Sequence, residues 1–143
     1  MFMKKLACLF IIFLLIVPVS VALAQSKIPG LVGAWKVESE GAVLIKEGND
    51  STQTKDTIEF RKLHAEFIVE KQQGRAFYGY FKSPQKTEKL VGVIGYDNKT
   101  AHWAGRFGFG QARIVSSERM EVIYLQANPK GSQAWIETLT KQK

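Results

Sequence analysis

Cysteine is almost missing from this 143-residue chain: Cys8 is the single one. It lies in an amino-terminal stretch built like a secretory leader. Lys4 and Lys5 supply positive charge, residues 6–17 an apolar run, and Pro18 a break. Ala22-Leu23-Ala24 then places small side chains at the two positions that a signal peptidase reads. Cleavage is expected between Ala24 and Gln25, so that residues 1–24 are the signal and 25–143 the mature domain. The apolar run falls short of the roughly 18–20 residues that cross a bilayer, so no membrane span is expected after cleavage. Leu6-Ala7-Cys8 imitates the end of a lipidation box. It precedes the apolar run, however, and would put Lys5 at the box's first position. With Cys8 removed, disulfides, thiol chemistry and cysteine-ligated metals are excluded. A periplasmic or secreted location is expected, and a short lysine-led signal with no further cysteine suits a bacterial protein.

Histidine is scarce as well, with only His64 and His102. A nucleophilic triad needs a base beside an activated hydroxyl, and no nucleophile-elbow pattern accompanies these two. Metal binding needs more converging His, Asp or Glu side chains than two separated histidines provide. Helical periodicity is absent beyond the leader, so no phosphate-cradling loop precedes a helix. No catalytic residue, metal ligand or cofactor is implied, and the chain is not expected to be an enzyme.

Dense positive charge is also lacking. The net charge is +7, falling to +5 once Lys4 and Lys5 leave with the signal. Arg61-Lys62 is the one adjacent basic pair of the mature part. A nucleic-acid binder concentrates its basic side chains in a stripe with aromatic stacking platforms. Here they are spread thinly, as on solvated strand faces, and no nucleic-acid partner is expected.

What the chain does have is alternation. Short apolar–polar runs punctuated by glycine or polar turns predict strands at 32–39, 42–47, 57–71, 75–83, 87–96, 100–107, 111–116, 119–126 and 133–141. The polar connection at 48–55 contains no apolar residue and reads as a loop. Eight or nine closely spaced strands in one small domain make an antiparallel meander with an edge problem. Closure into an all-β barrel solves it, and a sandwich is the competing solution.

One hairpin can be set in register. Around Gln72-Gln73-Gly74, a three-residue loop pairs Lys71 with Arg75 and Val69 with Phe77, gathering Leu63, Ala65, Phe67, Val69, Phe77 and Phe81 on one face. A two-residue turn at Gln73-Gly74 sorts the faces less well. Further on, Ala101, Trp103 and Phe107 share a phase, and Met120, Val122 and Tyr124 share another; both sets are expected inside. Leu90 to Ile94 is apolar on both phases and leaves its inner side open. The glycines of "GRFGFGQ" suit either a bend at a barrel corner or a flexible rim.

Gly33-Ala34-Trp35 at the start of the first strand, followed by a meander of this length, resembles the calycin barrels, which include lipocalins, fatty-acid-binding proteins and avidins. The resemblance implies that Trp35 closes the barrel floor under a basic side chain from the last strand, here Lys141, where lipocalins usually carry arginine. "HWAGRFGFGQARI" and "QAWIETL" are similar to the second half of bacterial avidins, with Trp103 and Trp135 at matching places. The biotin-holding polar groups are not matched: Val37, Gly41, Lys99 and Ala101 stand where asparagine, serine and two hydroxyl residues are expected.

Aromatic side chains are therefore the available binding currency. Phe67, Phe77, Phe81, Trp103, Phe107 and Tyr124 are the expected ligand-binding wall for a small apolar or amphipathic molecule at the open barrel end. The alternative is a barrel filled by its own side chains, serving as a scaffold for protein or envelope contacts through the Tyr78-Tyr80 stripe or the 48–55 loop.

Overall fold

The computed structural model describes residues 27–47 and 55–143. The expected leader and cleavage site, and all of the 48–55 connection but Lys55, lie outside the described residues. Among the described residues there is no helix. Eight strands, β1 (Gly33–Glu47), β2 (Lys55–Gln73), β3 (Ala76–Lys82), β4 (Thr87–Ile94), β5 (Thr100–Gly105), β6 (Gly108–Ser116), β7 (Arg119–Asn128) and β8 (Gly131–Lys141), follow one another around the sheet. β8 returns to pair with β1, which closes the barrel and leaves no free edge. The sandwich alternative is thereby set aside.

Alternation decides the two faces. Val37, Ala65, Phe67, Val69, Phe77, Leu90, Ile94, Trp103, Met120, Val122 and Leu139 pack inward as one buried core. Val91 and Val93 face solvent, which resolves the ambiguous 90–94 run in favour of Leu90, Gly92 and Ile94 inside.

Two expectations about local geometry are corrected. First, the predicted strands at 32–39 and 42–47 are one continuous β1, and Gly41 is no break. It pairs with Trp135, and a Cβ there would lie 2.8 Å from the indole ring. The glycine makes room for the neighbouring tryptophan rather than turning the chain.

Second, the β2–β3 hairpin takes neither register considered from sequence. Gln73 pairs with Ala76 across a two-residue turn at Gly74-Arg75, with Gly74 at φ 58°. The register then shifts between Val69 and Lys71, leaving Glu70 as a bulge. Val69 consequently meets Gly79, and Phe67 meets Phe81. The inserted residue restores the parity that buries Phe67, Val69 and Phe77, so the sorting of faces survives although the pairs differ.

The bulge has a second effect: it turns Gln72 toward the barrel end. Gln72 Oε1 accepts from the Leu31 amide at 2.8 Å, and its Nε2 donates to the Pro29 carbonyl at 2.9 Å. The segment preceding β1 is thus held across that end, with Leu31 buried.

Candidate functional site

The two barrel ends are built differently. At the closed end Trp35 is 0% exposed, and its Nε1 donates to the Leu31 carbonyl at 2.9 Å. Lys141 reaches over from β8 with Nζ 5.2 Å from the indole centroid. Gly33 explains its own place two residues before the tryptophan. Its φ of 130° is disfavoured for a side-chain-bearing residue, and a Cβ would lie 3.1 Å from Lys141 Cε.

At the other end a cavity of about 370 Å³ opens beside the β3–β4 connection, from which Ser83, Gln85 and Lys86 line it. Leu63, Phe81, Leu90, Trp103, Tyr124 and Trp135 supply its apolar wall. One inward row of the sheet explains the space. Reading across paired strands, Gly41, Trp135, Tyr124, Gly110, Trp103, Gly92 and Phe77 stand side by side. Aromatic rings spread over glycines that lack the Cβ to oppose them. A Cβ on Gly110, for example, would lie 2.5 Å from Trp103 Nε1. Phe67 packs on Trp103 from below, with ring centroids 4.8 Å apart.

The expected wall is therefore divided by the structure. Phe81, Trp103 and Tyr124 line the cavity. Phe67 and Phe77 belong to the buried core beneath it. Phe107 is a correction: it is 46% exposed and does not point inward. β5 ends at Gly105, so the phase carrying Ala101 and Trp103 inward stops before Phe107. Its ring lies instead 5.0 Å from the Arg106 guanidinium. His64 and His102 both face solvent.

Polar groups converge on this apolar space. Gln126 Oε1 accepts from the Tyr124 hydroxyl at 3.2 Å, and Gln133 Oε1 accepts from Trp135 Nε1 at 3.0 Å. At the mouth, Glu88 pairs with Lys86 at 2.8 Å and accepts from the Phe107 amide at 3.4 Å. Burial alone would raise the Glu88 carboxyl, but Lys86 and the backbone amides of Phe107 and Arg106 outweigh it and hold it below the usual range.

Glu137 is the residue that sequence reasoning missed. It lines the cavity, is only 7% exposed, and has no hydrogen-bond or ion-pair partner among the described residues. Burial pushes its carboxyl up to about 7. Burial, followed by the charges of Glu88 and Glu137, pushes the Tyr124 hydroxyl to about 12. A carboxyl of this kind, among apolar walls, accepts a hydrogen bond or a positive charge from whatever enters.

No family model and no curated protein sequence matches this chain. Among solved structures, the S-type phycobiliprotein lyase CPES from Guillardia theta is similar, with a TM-score of 0.38 and 10% identity over 79% of this chain and 89% of that one. At such low identity nothing about a ligand passes from that protein to this chain.

Proposed function

We propose that the chain is an exported barrel protein that holds a small amphipathic molecule in the open-end cavity. The apolar body of the ligand lies against Trp103, Trp135, Phe81 and Leu63, and a hydrogen-bond donor or basic group of the ligand meets Glu137. One observation carries this reading: an open cavity with aromatic walls is lined by the largely buried Glu137, whose carboxyl oxygens stay accessible and hydrogen-bond no described residue. A core meant only for stability gains from replacing such a group with an apolar one, because drawing a carboxyl partly out of bulk water costs free energy. The volume falls within the range of about 300–1,000 Å³ typical of small-molecule sites. Export rests on the leader pattern of residues 1–24.

The test is a native mass spectrum of protein purified from its own source. The proposal expects an added mass that denaturation releases, along with a mature chain beginning at Gln25. A bare chain, with no binding by any amphipathic amine, acid or alcohol offered afterwards, would return the barrel to the filled-scaffold reading.

A further inference from the structure

The inside of the barrel is layered, and the layers differ in chemistry. Across paired strands, Leu63, Ser39, Glu137, Val122, Ala112 and Ala101 form one inward row. The row above it, toward the open end, holds Trp135, Tyr124 and Trp103, with Gly41 and Gly110 beside them. Val43, Gln133 and Gln126 make the row above that. Glu137 therefore lies beneath the aromatic rings, and the amides lie above them.

Glu137 has no counter-charge in its own layer. Ser39, which stands opposite it on β1, donates its hydroxyl to the Leu63 carbonyl at 3.1 Å. Arg61, Lys62 and Lys86, on the cavity margin, are exposed. Arg61 pairs with Glu59 and Lys86 with Glu88, and none of the three forms an ion pair with Glu137.

The rings above are already committed at their polar edges. Trp135 Nε1 donates to Gln133 Oε1, and the Tyr124 hydroxyl donates to Gln126 Oε1. What these two side chains offer a cavity occupant is ring carbon. Gln133 stands four residues from Glu137 on β8, about 13 Å along a strand. A group seated at Glu137 thus meets one carboxylate and ring surface, with the amide acceptors a further layer away.

On the reading of this cavity as a ligand site, on which the present step rests, we infer that the ligand's head is an N-alkylated ammonium. The single N–H of a protonated tertiary amine meets the Glu137 carboxylate, and its N-alkyl groups lie against Trp135, Tyr124 and Trp103. A primary ammonium carries three N–H donors. Those left over the rings are withdrawn from water without an acceptor, which costs free energy. Alkylation replaces them with carbon that carries part of the positive charge, and an aromatic face attracts such a group. A neutral alcohol keeps a donor but brings no charge to balance the carboxylate.

Calorimetric titration with hexylamine, N,N-dimethylhexylamine, hexanol and hexanoic acid tests the inference. It is run at about pH 8, where Glu137 is largely ionised and the amines are protonated. N,N-dimethylhexylamine is expected to bind about tenfold more tightly than hexylamine, with hexanol and hexanoic acid weaker than both. Trp135→Leu keeps an apolar wall and removes the ring, so the preference for the dimethylated amine is expected to fall to about threefold or less. Should that variant not fold, Tyr124→Leu serves in its place. Hexylamine binding as tightly as its dimethylated form overturns the inference and leaves the cavity a ligand site. Tightest binding by hexanol or hexanoic acid, or a tenfold preference that survives in the folded variant, does the same. No binding by any of the four overturns the inference and counts against the ligand site itself.

Discussion

Trp135 occupies the space that Gly41 leaves open on the neighbouring strand, and a Cβ at position 41 would come within 2.8 Å of its ring. This pairing makes the open-end cavity aromatic-walled, because it lets a tryptophan lie against the sheet beside Tyr124. Gly41→Ala is expected to destabilise the barrel by about 1–3 kcal/mol through overpacking. Urea unfolding followed by tryptophan fluorescence measures the loss, and an unchanged midpoint would mean that the ring moves aside freely.

The closed end yields a second expectation. Removing the Lys141 charge with Lys141→Met leaves the Trp35 face without its cation, at a cost of about 0.5–2 kcal/mol. Lys141→Arg restores a cation over the ring and is expected to recover most of that difference. Thermal unfolding of the two variants side by side separates the charge from the packing of the stem against Gly33.

Glu137 gives stability a pH dependence of known sign. Its folded value of about 7 lies above the ordinary 4.5, so the folded state binds the proton more tightly. Stability is therefore greatest below about pH 4.5 as far as this group is concerned, and falls as pH rises through 7. The full effect is on the order of 3 kcal/mol. Glu38, Glu88, Asp97 and Glu121 are lowered and act in the opposite sense, below that window. Glu137→Gln is expected to flatten the slope between pH 4.5 and 7. Denaturant midpoints recorded across that interval check it, and an equal slope in both proteins would assign the effect elsewhere.

Much of this barrel is legible in the alternation of its residues, and the exceptions have physical causes. Closure follows from a run of strands that must dispose of their edges. The inward placement of Trp103, Met120, Val122 and Tyr124 follows from period two. The β2–β3 pairs could not be read, because one extra residue at Glu70 changes the partners while leaving the buried set intact. Phe107 misled because its phase continues on paper past Gly105, where the strand stops. Glu137 was within reach: in "AWIETL" it shares the inner phase with Trp135 and Leu139, and a glutamate there is conspicuous. The cavity itself was not legible. It depends on glycines of different strands standing opposite aromatic rings, a relationship that only the folded register creates.

The cavity can be closed without disturbing the rest of the fold. Leu63 is half-buried on its wall, and Leu63→Trp directs added volume into empty space rather than into the packed core. Its melting temperature is expected to stay near that of the unaltered protein, while probe binding is lost. A large drop in melting temperature would show that no usable space exists there.

The most direct measurement is a fluorescence titration of the unaltered protein and the Leu63→Trp variant with long-chain amines and their matched carboxylic acids. Saturable quenching by an amine in the unaltered protein, weaker with the matched acid and absent in the variant, is the predicted result. No saturable response to any probe, or an identical response in both proteins, would contradict a ligand seated between Trp135 and Glu137.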